Sequence, residues 1–140
     1  MEKKLNVLEV TADVNKLRDV LDFIDSLLEE AGCPMKVQMQ IDLAVEELFV
    51  NIANYAYTDG KGKAQISALV TKQNAEITFI DSGIPYDPLA KPDPDITLSA
   101  DVRPIGGLGI FLSKKLMDEV TYKYEDSKNV LTIKKQYQAV

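Results

Sequence analysis

Histidine is missing altogether from this chain. That absence removes Ser-His-Asp and Cys-His nucleophilic catalysis, histidine-ligated metals and any phosphohistidine relay within the chain. Cysteine occurs once, as Cys33, so no internal disulfide and no thiolate cluster around a metal can form. Cys33 itself reads most simply as a helix-end residue. No apolar run approaches the roughly 18–20 residues that a membrane helix needs, and there is no signal-peptide layout. The expectation is a cytoplasmic protein with no membrane partner. Basic residues are the minority: 16 Lys+Arg against 22 Asp+Glu give a net charge of −6 and a pI near 4.7. Without a basic footprint, nucleic acid is not expected as a direct partner. Chemistry is left to carboxylates, amides, hydroxyls, backbone donors, or an oxygen-ligated cation such as Mg²⁺.

What is present is the material of one ordinary domain, with 140 residues of which 46% are hydrophobic. The reading is a single domain over residues 1–140, with no repeat or linker. Leu5 to Val10 reads as a strand. From Val14 the apolar residues Leu17, Leu21, Ile24 and Leu28 recur at helical spacing until Gly32 and Pro34 stop them. A second helix is predicted from about Met35 to Tyr57, carrying Ile41, Ala44, Val45, Leu48 and Ile52, followed by a turn at Thr58 to Gly62. Gln65 to Thr71 and Glu76 to Ile80 read as strands joined at Lys72 to Ala75. The stretch from Asp81 to Gly107 contains every proline except Pro34. A loop of that length in a compact domain is usually functional, often a lid. A third helix from Gly107 to Asp118 and two strands, Val120 to Tyr124 and Val130 to Lys135, complete the chain. The order β-α-α-β-β-loop-α-β-β predicts an α/β two-layer sandwich (α+β), with a mostly antiparallel sheet and helices packed on one face.

Three elements are candidates for chemistry. Glu47, Asn51 and Asn54 are spaced by four and three residues and so share one face of the second helix. Polar groups there suggest a lined cavity, although a solvent-facing stripe of an amphipathic helix is an equal reading. Glu46 reads as ordinary surface charge. Asp81-Ser82-Gly83 follows a strand directly: Asp81 can accept from an exocyclic amine, and Gly83 lets a planar ligand approach the backbone. Alone, it is more simply a turn. Gly106-Gly107-Leu108-Gly109 leads into the third helix, and glycines at a helix start expose N–H donors suited to phosphates. It lacks the lysine and hydroxyl residue of a Walker loop. Together the three describe a nucleotide pocket.

In this order the residues resemble the Bergerat-fold (GHKL) ATPases, and within them the bacterial anti-sigma-factor serine/threonine kinases. The likeness runs through EELFVNIANYAY (46–57), DSGIPYDP (81–88) and GGLGIFLSKKLMDEV (106–120). The resemblance implies the Bergerat ATP-binding fold, with an ATP lid at about residues 84–106. It implies Asn51 as the Mg²⁺ ligand, Glu47 as the general base, and Asp81 with Gly83 at the adenine. Asn54, Leu108 and the phosphate-loop glycines Gly107 and Gly109 complete the ATP site. Arg103 in the lid is a candidate for the γ-phosphate or a partner, with a plain surface role equally open. The implied activity is Mg²⁺-ATP-dependent phosphorylation of a STAS-type anti-anti-sigma protein by a kinase that also binds a sigma factor and commonly forms a homodimer. Two departures stand out. Tyr55 replaces a frequent histidine, and Lys128-Asn129, read as the turn before the last strand, replaces a glycine and a hydroxyl residue near the adenine. Thr132 is accordingly assigned no role. The alternatives are a nucleotide-gated binding module without phosphotransfer, or a regulatory partner that never meets a sigma factor.

Overall fold

The computed structural model describes residues 5–59, 62–90 and 108–140, with Leu108 known by its backbone only. Five strands, β1 (Leu5–Thr11), β2 (Lys63–Val70), β3 (Asn74–Asp81), β4 (Glu119–Glu125) and β5 (Lys128–Gln136), form one sheet in the order β1-β2-β3-β5-β4. All four pairings are antiparallel, and two of them, β2–β3 and β4–β5, are the hairpins that short connections predict. Helices α1 (Leu17–Glu30), α2 (Met35–Tyr55) and α3 (Leu108–Leu116) supply the second layer. The expected two-layer α/β fold is the one observed.

The core lies between those layers. Val20, Ile24 and Leu28 recur every four residues along α1 and are fully buried. From α2 come Ile41, Val45 and Phe49; from the sheet, Ile66, Ile77, Phe79 and Ile133. In β3 every second residue is buried, so the run Ala75, Ile77, Phe79 ends with Asp81 on the same helix-facing side. β5 alternates likewise and brings Asn129, Leu131 and Ile133 to that side. Asp81 and Asn129 are register partners. A carboxylate and an amide therefore lie side by side where the two central strands end.

Some boundaries differ from the sequence reading. Val14–Lys16 forms a short 3₁₀ turn, started by Asp13, whose carboxylate accepts from the Asn15 N–H at 2.8 Å. α2 ends at Tyr55, two residues early, because the Tyr57 hydroxyl is engaged elsewhere: it donates to the Lys63 carbonyl at 2.6 Å and accepts from the Ser82 N–H at 2.9 Å. α3 ends at Leu116, and the Asp118 N–H already bonds the Lys134 carbonyl at 2.9 Å. The turn before the last strand is Asp126-Ser127, with φ of 54° and 61°. Lys128-Asn129, expected in that turn, are the first residues of β5.

Where α1 meets α2, Asp25 and Asp42 face one another with Glu29 nearby, and each aspartate has a buried Oδ1 with no partner among the described residues. Burial, contact with Asp25 and repulsion by Asp25 and Glu29 push the Asp42 carboxyl up to about 8. Cys33 is buried at the same joint, and burial pushes its thiol up.

Candidate functional site

A cavity of about 40 Å³ opens between α2 and the ends of β3 and β5. Its walls are mostly apolar, with Leu48, Ile52, Phe79 and Leu131 among them, and its polar contributions come from Asn51, Asp81 and Asn129. It is a slot for the edge of a flat ring rather than an enclosure for a whole nucleotide. At its rim Tyr55 and Tyr86 pair with ring centroids 6.3 Å apart.

The floor is a closed hydrogen-bond network. Asp81, 6% exposed, accepts at Oδ1 from the Gly83 N–H at 2.9 Å and from Asn129 Nδ2 at 2.9 Å. Among the described residues Oδ2 takes no donor. Asn129, also 6% exposed, gives its second Nδ2 hydrogen to the Ile84 carbonyl at 2.9 Å. Its Oδ1 accepts from the Tyr86 N–H at 3.1 Å and from the Tyr122 hydroxyl. Burial pushes the Tyr122 hydroxyl up, which keeps it a donor.

The sequence candidates do not all meet at the cavity. Asn51 and Asp81 line the cavity. Glu47 lies beside it, one helical turn before Asn51, and its carboxylate sits against the first turn of α3: a Cβ on Gly109 would collide with Glu47 Oε2. The two elements thus meet, and Gly109 is what permits the approach. Leu108 begins α3. Gly83 has a different reason from the one expected. The direction a side chain would take there is filled by the Ala56 carbonyl at the end of α2, not by ligand space. The neighbouring Ile84 N–H bonds that same carbonyl at 2.8 Å. Asn54 is exposed and absent from the cavity wall. Residues 91–107 lie outside the described residues, and with them Arg103, Gly107 and most of the lid expected at about 84–106. No helix among the described residues is long and apolar enough to cross a membrane.

Tyr122 escaped the sequence reading, and Asn129 entered it only as a departure in a turn, with no role. The signal that would have found Asn129 is period-two alternation continued backward from Ile133 and Leu131, which ends on it.

A family profile described as the histidine kinase-like ATPase domain matches residues 10–135. The chain belongs to that family. In the arrangement just described, Asn51 of α2 and the strand-end Asp81 line one slot, and the start of α3 meets α2 at Glu47 beside it. Relatives include the serine/threonine-protein kinase BtrW of Bordetella bronchiseptica, 25% identical over 134 residues, covering 95% of this chain and 94% of that protein. The serine-protein kinase RsbW of Listeria monocytogenes is 25% identical over 116 residues, 79% of this chain and 74% of that protein. Like them, this histidine kinase-like ATPase domain is an ATP-using protein kinase. Two solved structures share the fold. The RsbU and RsbW domains of a Mycobacterium tuberculosis protein align with a TM-score of 0.62 at 19% identity, over 96% of this chain and 34% of that one. The catalytic domain of the histidine kinase ThkA aligns with a TM-score of 0.53 at 14% identity over the whole of both chains.

Proposed function

We propose that the chain transfers the γ-phosphoryl group of Mg²⁺-ATP to a serine or threonine hydroxyl of a STAS-type anti-anti-sigma protein, and that it holds a sigma factor as an anti-sigma factor. One observation carries the reading. On a single face of α2, Asn51 reaches the slot floored by Asp81 while Glu47 reaches the start of α3. This supports a reading in which a base-binding end and a phosphate-binding end lie one helical turn apart.

In this reading the base enters the slot with its exocyclic amine donating to Asp81 Oδ2. The phosphates extend toward Gly109, where first-turn N–H groups and the helix dipole favour negative charge. Asn51 offers the amide oxygen to hold Mg²⁺, a hard cation that neutralises phosphate charge when bound. Glu47, at the phosphate end, takes the proton of the incoming hydroxyl as its oxygen bonds to the γ-phosphorus. The bond from that phosphorus to the bridging oxygen breaks and ADP leaves. Absence of histidine fits direct transfer to a partner hydroxyl. The acidic balance fits a protein partner in the cytoplasm rather than nucleic acid or membrane. A homodimer is part of the proposal by resemblance.

The test is intact-mass spectrometry of the host's STAS-domain proteins after incubation with the chain and Mg²⁺-ATP. One phosphoryl gain on one of them is expected, lost with Glu47→Ala while calorimetric ATP binding survives. Normal transfer by Glu47→Ala would disprove the role of that base. ATP binding with no transfer to any STAS protein would favour a nucleotide-gated binding module. Failure to pull down any sigma factor would remove the anti-sigma part alone.

A further inference from the structure

The amide of Asn129 has a fixed orientation. Its Oδ1 faces the Tyr86 backbone N–H, which can only donate. Its Nδ2 faces Asp81 Oδ1 and the Ile84 carbonyl, which for a carboxylate and a peptide oxygen can only accept. Exchanging oxygen and nitrogen would set donor against donor once and acceptor against acceptor twice, so only one orientation satisfies the network. Both Nδ2 hydrogens are then in use. The β3–β5 floor of the slot keeps no spare amide donor, and it offers an incoming ring the Asp81 carboxylate as an acceptor.

We infer that Asn129 is a specificity-determining positioning residue: by holding Asp81 as an oriented, acceptor-only carboxylate, it makes the slot choose a 6-amino purine over a 6-oxo purine. This rests on the nucleotide reading of the slot. Asn129 acts through Asp81. A 6-amino group donates to Asp81 Oδ2, whereas a 6-oxo group presents an acceptor to an acceptor and leaves both unpaired in an apolar slot. The Tyr122 hydroxyl and the Tyr86 N–H, which also face Asn129, both donate to its Oδ1 and lock the amide in place.

Asn129→Asp separates this role from a structural one. The substitution keeps the shape but sets a second carboxyl oxygen against Asp81 Oδ1 and the Ile84 carbonyl, so the pair must take up a proton to coexist. A protonated Asp81 can donate to a 6-oxo group. The measurement is the calorimetric affinity for ATP and for inosine triphosphate between pH 6 and pH 8, where their ratio cancels the titration of the phosphates. The wild-type chain is expected to prefer ATP by at least about tenfold with no pH dependence, the worth of one unpaired buried group. In Asn129→Asp the ratio should fall severalfold at pH 6 and recover in part toward pH 8. If the folded variant keeps the wild-type ratio at both ends, the inference is overturned. Should Asn129→Asp not fold, Asn129→Ala releases Asp81 without adding a charge and should lower the ratio at all pH values; an unchanged ratio there is equally fatal. A wild-type chain that binds neither nucleotide would instead overturn the nucleotide reading itself.

Discussion

Replacing Asp42 by asparagine should stabilise the protein, and more so at alkaline pH. Asp42 on α2 faces Asp25 and Glu29 on α1, and its carboxyl is pushed from 3.8 up to about 8 by burial, by contact with Asp25 and by the two neighbouring charges. In the unfolded chain the same carboxyl loses its proton near pH 4. Between pH 4 and pH 8 the folded state therefore binds the extra proton, and stability must fall as pH rises through that window and level off above it. The group is only half-buried and solvent screens its neighbours, so the realised loss is about 1–2 kcal/mol rather than the full linkage value. An asparagine at this position would stay neutral at every pH and give its amide hydrogens to Asp25. At pH 8 the Asp42→Asn chain should melt about 3–6 °C above the wild type, at roughly 3 °C per kcal/mol for a domain of this length. At pH 5 the difference should shrink to about 1 °C or less. The assay is thermal unfolding followed by circular dichroism at both pH values, with Glu29→Gln as a partial version. Parallel pH profiles for wild type and Asp42→Asn, or a variant less stable at pH 8, would refute the shared-proton account.

Gly109→Ala and Gly83→Ala should behave oppositely. At Gly109 the added methyl meets the end of the Glu47 side chain, which can swing away, and alanine in a helix gains up to about 1 kcal/mol. Thermal stability should hold or rise while phosphotransfer to the partner falls at least about tenfold; undiminished transfer would dissociate Glu47 from the chemistry. At Gly83 the methyl meets the Ala56 backbone, which cannot yield without moving α2, and the expected cost is about 2 kcal/mol or more. Unfolding in urea should register it, and an unchanged midpoint would mean that the contact is absent in solution. Ser127→Gly relieves a left-handed backbone at φ 61° and should add about 1 kcal/mol by the same measurement. A loss of stability there would point to an unseen role for the Ser127 side chain.

Most of the architecture could be read from spacing. Strict alternation in β3 and the four-residue repeat in α1 mark both elements and their buried sides. What failed was punctuation. The β4–β5 turn is made by Asp126 and Ser127 in left-handed conformations without a glycine, so the sequence carried no sharp turn signal and the strand start was placed two residues late. That shift hid Asn129. Asn51 and Asp81 were legible because a polar residue amid an apolar period is conspicuous. Asn54 was read onto the same face by spacing alone, yet it is exposed while its neighbours Tyr55 and Ala56 line the slot. The Asp25–Asp42 pair joins two helices, and periodicity within one element cannot reveal a partner on another.

The bond between Asp81 and Asn129 spans 48 residues of chain. It closes only when β5 docks beside β3. Such pairings carry a loop-closure cost, and the β1–β2 pairing, which joins Thr11 to Lys63 and Leu5 to Leu69, carries one as well. A chain without β5 would lack Asn129 and with it the Asp81–Asn129 bond. On the proposed function, nucleotide would act only on molecules in which β3 and β5 have paired. It adds its stabilisation by mass action to the completed state and offers none to a nascent or truncated chain lacking the last hairpin. Competence to bind would in this way certify that the central strand has its β5 neighbour in place.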